Sequence, residues 1–268
     1  MPTLEEKRRA LEEALRRMGS VAVAFSAGVD STCLLQVASR VLGDRAAAIT
    51  VRSQFVPQRE QQEAAEFCRS RGIRLIVLEL DALSIPGVRE NPADRCYLCK
   101  KSIFTQICAA ARENGFACVA EGSNADDLGD YRPGMRAIRE LDVCSPLLDA
   151  GLTKAEIRQL SFDLGLPTWD KPAMACLATR FATGHEITNE GLARVEQAEQ
   201  CLMELGFSKV RVRVHGELAR IEVEPDMISR LTEAKTAALV SERLRRLGFR
   251  YVSVDLTGYQ MGSMNTKK

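Results

Sequence analysis

Histidine is nearly missing from this chain: His185 and His215 are the only two in 268 residues, so neither a histidine-rich metal site nor a Ser-His-Asp triad is readily built. An excess of charge is missing too. Lys and Arg number 37 against 36 Asp and Glu, a formal net charge of +1 with the two signs mixed along the chain. That leaves no broad electrostatic footprint for a nucleic-acid backbone, and a small anionic substrate is expected in place of RNA. No apolar run approaches the length that spans a bilayer, so no membrane partner is expected. The opening MPTLEEKRRALEEALRRMGS reads as a charged amphipathic helix without the apolar core of a secretory signal, which points to a cytoplasmic protein. Low-complexity tracts and long internal repeats are also absent. What the chain does have is cysteine: nine, an odd number that fits reduced thiols, metal ligands or catalytic sulfur better than a disulfide framework.

With 46% hydrophobic and 27% charged residues the composition is ordinary for a globular protein, and the length suits one large domain and a smaller one. Residues 1–170 alternate short β-branched or Ala-rich runs with longer amphipathic stretches, the pattern of a parallel sheet flanked by helices. Strands are expected at Val21–Phe25, Ala46–Val51, Arg74–Leu80, Phe116–Glu121 and Val143–Leu147. Helices are expected at Thr32–Leu42, Gln58–Ser70, Cys99–Glu113 and Lys154–Leu164, where apolar residues recur at three- and four-residue spacing. Thr153 with Glu156 three residues later is a capping-box start for the last of these. The aperiodic Pro167–Gly184 reads as a linker, which places a domain boundary between residues 170 and 171. Beyond it, helices at Thr188–Leu205 and Thr236–Leu247 with strands at Lys209–His215, Ala219–Glu224 and Tyr251–Leu256 suggest a small α/β module with an antiparallel pair.

The first expected strand runs straight into Ser26-Ala27-Gly28-Val29-Asp30-Ser31 and then into a helix. The loop therefore joins the C-terminal end of a strand to a helix N-terminus, where anions bind in open α/β sheets. Gly28 is expected to let backbone amides approach phosphate oxygens, with Ser26, Ser31 and Thr32 adding hydroxyl donors. Asp30 cannot itself bind phosphate and suits Mg²⁺ or an orienting role. Glu121-Gly122-Ser123-Asn124-Ala125-Asp126-Asp127 follows the fourth strand and opens at the same sheet edge. By itself it could be an Asx-rich turn; beside the first loop, Gly122, Ser123, Asn124 and Asp127 become candidates for adenine, ribose and Mg²⁺ contacts. Asp130-Tyr131-Arg132-Pro133-Gly134 then combines a carboxylate, a bidentate donor and a fixed turn.

Three further groups stand out. Cys96 and Cys99 lie three apart at an expected helix start, where thiols face one way and are acidified; a redox pair, half a zinc site and coincidence are all open readings. Cys176 lies in a polar, irregular segment with Arg180 four residues on, placed to steady a thiolate or an anion. Arg211 and Arg213 alternate along a strand with Val210, Val212 and Val214 on the other face, so two guanidinium groups share one face, either as a phosphate grip or as a solvated surface. Trp169 and Tyr259 could stack on a planar ring or pack in a core.

The Ser26–Ser31 loop resembles the SGGxDS pyrophosphate loop of the PP-loop ATP pyrophosphatases, with Ala27 at the first glycine, and it lacks the lysine of a Walker-A loop. GSNADDLGDYRPG, KPAMACLATRFATG at Lys171–Gly184, RVRVHGELARIEVE at Arg211–Glu224 and GFRYVSVDLTGYQMGSMN at Gly248–Asn265 together resemble the LarE family of sulfur transferases over nearly the whole chain. The resemblance implies an adenine nucleotide alpha hydrolase-like α/β domain with a second, smaller α/β domain, and ATP with Mg²⁺. It also implies a pyridinium mononucleotide substrate whose carboxylate is adenylated and then converted to a thiocarboxylate in nickel-pincer cofactor synthesis. Cys176 matches the family's sulfur-bearing position, which in one form of the family is sacrificed to dehydroalanine. Cys96, Cys99 and Cys176 match the other form, in which three thiolates hold a [4Fe–4S] cluster with one open iron that takes hydrosulfide. Arg211, Arg213, Arg132 and Tyr259 are implied for substrate binding, Glu199 matches an acidic position near the sulfur site, and Gln260 stands where the family motif carries Arg. A sulfide-type donor and a homo-oligomer are implied as partners. A tRNA thiolase, an amide-forming synthetase and a non-catalytic cluster-binding protein are the rival readings.

Overall fold

A computed structural model describes residues 2–129, 133–172 and 175–260. The chain divides into two units, residues 1–81 with 96–174 and residues 82–95 with 175–268.

The first unit opens with α1 (Leu4–Met18), started by a reciprocal Thr3/Glu6 capping box. Then come β1 (Val21–Ala24), α2 (Val29–Leu42), β2 (Ala46–Arg52), α3 (Gln58–Arg71), β3 (Arg74–Glu79), α4 (Arg95–Glu113), β4 (Cys118–Ala120), α5 (Pro133–Glu140), α6 (Pro146–Asp149) and α7 (Lys154–Asp163). The strands pair in parallel in the order β3-β2-β1-β4. Side chains alternate across the sheet: Val21 and Val23 enter one apolar cluster with Leu11, Leu34 and Leu160, while Ala22 enters the other with Phe104 and Ile107. Both faces are thus covered, which is why β1 and β2 read as continuous apolar runs. Strand order reverses between β2 and β4 about β1, so the ends of β1 and β4 open at a topological switch point.

The fifth strand expected at Val143–Leu147 is not formed. Cys144 makes a single parallel bridge to Ala120, and the chain then turns into α6, because Pro146 has no N–H for a ladder but suits the first helical position.

The second unit contains α8 (Asn189–Glu204), β5 (Arg211–His215), β6 (Leu218–Glu222), α9 (Ile228–Thr232), α10 (Ala234–Arg246) and β7 (Tyr251–Val254). β5 and β6 are antiparallel and β7 joins β6 in parallel. Val212, Ala219 and Ile221 pack beneath α8 and α10 with Ala198, Leu202 and Leu244. Residues 82–95 belong to this unit, an assignment that a single boundary after residue 170 does not contain. The cause is local: Asn91 Nδ2 donates to the carbonyls of Phe181 and Ala182 at 3.3 and 2.8 Å, and Arg95 Nη1 donates to that of Ala178 at 3.0 Å.

Candidate active site

In the first unit the Ser26 hydroxyl lies 3.1 Å from that of Ser31, and Ser31 Oγ donates to the Gly28 carbonyl at 3.3 Å. Two hydroxyls expected to face phosphate are therefore held together at the mouth of α2. Thr32, expected as a third donor, is fully buried under the loop. The conformational demand falls on Ala27, with φ 53°, and not on Gly28, with φ −81°. Ala27 is a buried, left-handed non-glycine residue, a conformation that costs on the order of 1–2 kcal/mol for a residue carrying Cβ. Lys171 offsets this: its ammonium donates to the Ala27 carbonyl at 2.9 Å and meets Glu63 at 2.6 Å.

The loop after β4 closes on the first. A Cβ at Gly122 would stand 3.0 Å from the Ser31 amide nitrogen and 3.1 Å from Asp30 Cβ, so glycine permits the approach of the two strand ends. Asn124 Nδ2 reaches Asp30 at 3.5 Å, while its Oδ1 accepts from Asp126 N and its own N–H donates to Asp127 at 3.0 Å. Ser123 is buried, with its N–H on Glu121 and its hydroxyl on Met135 Sδ. Asp127 and Ser123 thus shape this loop, while Gly122 and Asn124 join it to Asp30. The Asp30 carboxylate is partly open and touches the Lys154 ammonium at 2.5 Å. A hard oxygen donor already facing a cation fits Mg²⁺. Cys96 and Cys99 lie one turn apart at the start of α4, Cys96 exposed and Cys99 half-buried. Cys33 and Cys68 are buried, and burial pushes each thiol up to about 12. Arg132, Asp130 and Tyr131 lie outside the described residues, as does 261–268 with its GSMN motif.

In the second unit, Cys176 precedes a short helical turn, Leu177–Arg180. Arg180 is fully buried. Its Nη1 donates to the carbonyls of Ala175 and Cys176 at 2.7 and 3.1 Å, and its Nε and Nη2 grip Glu199 at 2.8 Å each. Arg180 thus holds the backbone of the cysteine segment, where the sequence suggested a partner for the thiolate. Glu199 also accepts from Val212 N at 2.9 Å, tying α8 to β5. Arg211 and Arg213 share a face as the alternation required, but that face is buried, not solvated. Arg213 grips Glu222 at 2.7 Å and donates to the Thr179 carbonyl. Arg211 lies over the Tyr259 ring at 5.2 Å, and burial, then the nearby Arg180 charge, pull its guanidinium below the usual value. The structure therefore gathers Arg180, Glu199, Arg211, Arg213 and Tyr259 beside the Cys176 segment. Among the described residues no three His, Cys, Asp or Glu side chains are grouped to hold a metal ion. Lys154, Lys171, Asn91, Arg95 and Glu222 were not singled out by the sequence as individual site residues. Lys171 and Glu222 did lie within segments that the sequence marked, KPAMACLATRFATG and RVRVHGELARIEVE.

A parallel sheet with a lysine-free Ser-Ala-Gly-Val-Asp-Ser loop at its switch point defines the class: a PP-loop ATP pyrophosphatase, an ATP-dependent enzyme. No family model matches the chain. An uncharacterized protein of Synechocystis is 40% identical over 262 residues, 98% of both chains. The pyridinium-3,5-bisthiocarboxylic acid mononucleotide synthase of Lactiplantibacillus plantarum is 37% identical over 266 residues, 99% of this chain and 96% of that one. A tRNA(Ile)-lysidine synthase of Bifidobacterium longum is 30% identical over 173 residues, 57% of this chain and 43% of that one. The chain belongs to the LarE family of ATP-dependent, sulfur-inserting synthases. No helix among the described residues is long and apolar enough to cross a membrane.

Proposed function

We propose that this enzyme adenylates a carboxylate of a pyridinium-3,5-dicarboxylate mononucleotide and replaces one carboxylate oxygen with sulfur, a step toward a nickel-pincer cofactor. Similarity to the Lactiplantibacillus synthase across 99% of the chain carries this reading, because it spans the ATP-splitting loop and the Cys176 segment alike. In the first step a carboxylate oxygen attacks the α-phosphorus, the bond to the β-phosphate oxygen breaks, and pyrophosphate leaves with the electron pair. In the second, hydrosulfide attacks the acyl carbon and AMP departs, leaving a thiocarboxylate and a proton. Adenylation supplies the leaving group that a carboxylate lacks. The Ser26–Ser31 loop and Asp30 hold the triphosphate and Mg²⁺. The substrate phosphate is assigned to Arg211, with Arg132 and Tyr259 as further contacts, while Arg213 and Glu199 brace that pocket.

Cys96, Cys99 and Cys176, all at least partly accessible, fit by their thiolate chemistry as ligands of a [4Fe–4S] cluster. When bound, that cluster supplies an open iron for hydrosulfide. The alternative is the sacrificial route, which needs Cys176 alone and no cluster. In that route Cys176 Sγ attacks the acyl carbon, AMP leaves, and the Cβ–S bond then breaks with loss of the α-proton, giving thiocarboxylate and dehydroalanine. Anaerobic purification with iron and sulfide analysis, followed by intact mass after turnover, separates the two. Repeated turnover at unchanged mass supports the cluster, and loss of one H₂S from Cys176 without iron supports sacrifice. Pyrophosphate release that depends on tRNA and not on the pyridinium nucleotide would overturn the function itself. The enzyme is also proposed to be a homo-oligomer, which its light-scattering mass tests.

A further inference from the structure

Lys154 stands at the first position of α7, 124 residues along the chain from Asp30, yet the two side chains meet. The pair is half-buried, so solvent still screens it and its contribution to stability is modest. The reaction offers a stronger reason for it. Splitting ATP between its α and β phosphates gathers negative charge on the departing pyrophosphate, and the Ser26–Ser31 loop meets that charge with hydroxyls and N–H groups but no lysine of its own. Lys171 reaches the loop from outside, but it is fixed: its stem is nearly buried and its ammonium is shared between the Ala27 carbonyl and Glu63. Lys154 is anchored at its base, where its backbone N–H donates to Asp126 at 2.9 Å beside the Thr153/Glu156 capping box. Its ammonium rests on the same carboxylate that suits Mg²⁺.

We propose that Lys154 is a place-holding cation, neutralising Asp30 before nucleotide binds and moving to the leaving pyrophosphate once Asp30 takes Mg²⁺. As the α-phosphorus–oxygen bond breaks and its electron pair stays on the bridging oxygen, attraction to the ammonium grows. Lys154 therefore favours the transition state over bound ATP and acts on kcat more than on KM. The inference rests on the ATP-splitting reading of the loop.

The test uses the full chain with Lys154→Met and Lys154→Arg, following pyrophosphate release against ATP and, without nucleotide, the binding of Mn²⁺ by magnetic resonance. Lys154→Met is expected to slow release roughly 100-fold at saturating ATP, as loss of one preorganised electrostatic group does. The KM for ATP should change little, and Lys154→Arg should recover part of the rate. Mn²⁺ should bind the Met variant more tightly, because the competing ammonium is gone. A structural lysine would not produce that opposition of slower turnover and tighter metal binding. Release at the wild-type rate by Lys154→Met, or Mn²⁺ binding that is unchanged or weaker, overturns the proposal. A wild-type protein that releases no pyrophosphate with its substrate overturns the reading of the loop, and this proposal with it.

Discussion

The two regions proposed to bind anions are built on opposite plans. At the loop proposed for phosphate in the first unit, the Ser26 and Ser31 hydroxyls lie together, and Lys154 at its rim rests on the partly exposed Asp30 carboxylate. In the second unit Arg180 and Arg213 are buried and already gripped by Glu199 and Glu222. A rim cation can change partners as a substrate arrives; a buried guanidinium whose bonds are taken is framework, and shapes the pocket for its neighbours. The difference teaches that counting arginines locates an anion site but does not say which arginine binds.

The comparison is most severely tested by Arg180→Ala. Removing it strands Glu199 in the interior, and the expected loss is about 3–5 kcal/mol, read from chemical denaturation. The double change Arg180→Met with Glu199→Leu should recover much of that, whereas a site arginine with free bonds would show little loss in either protein. Gly122→Ala comes next: its methyl would press the Ser31 amide, and an overpacking cost of about 1–3 kcal/mol with a raised KM for ATP is expected. Smaller and opposite in sign, Ala27→Gly relieves the left-handed conformer at the cost of a freer unfolded chain, for a net gain of about 0.5–1 kcal/mol in thermal or denaturant unfolding. The smallest effect concerns the start of α7, which carries Lys154. Burial works against the ionised Glu156, but Lys7 and the Thr153 amide and hydroxyl outweigh it and hold the carboxyl below its usual 4.5. The depressed value means the contribution is present above the unfolded pKa and lost as pH falls through the folded one. Glu156→Gln should flatten that acid-side slope of stability.

Sequence alone made much of the first unit legible, because strands buried on both faces, a strand-to-helix loop and the α7 capping box are all local signals. It failed at Val143–Leu147, where an apolar run outweighed the one proline that ends the ladder. The alternation of Arg211 and Arg213 was readable from period two. Their burial was not, since it depends on Glu222 across the hairpin, while Arg180, gripped by Glu199, comes from a segment before α8. Ala27 could be seen as a departure from a motif, but only backbone geometry shows that the left-handed position is its own and not that of Gly28. Lys154 meets Asp30 across 124 positions, with no pattern to announce it.

Because residues 82–95 are counted with 175–268, neither unit is a contiguous stretch of chain. On the ribosome, Asn91 and Arg95 emerge long before the carbonyls of Ala178, Phe181 and Ala182 that they bind, so the segment that carries Cys176 is completed by residues made early and held in waiting. A fragment cut at residue 175 would lose those donors, and a separate peptide of residues 82–95 is what should give them back.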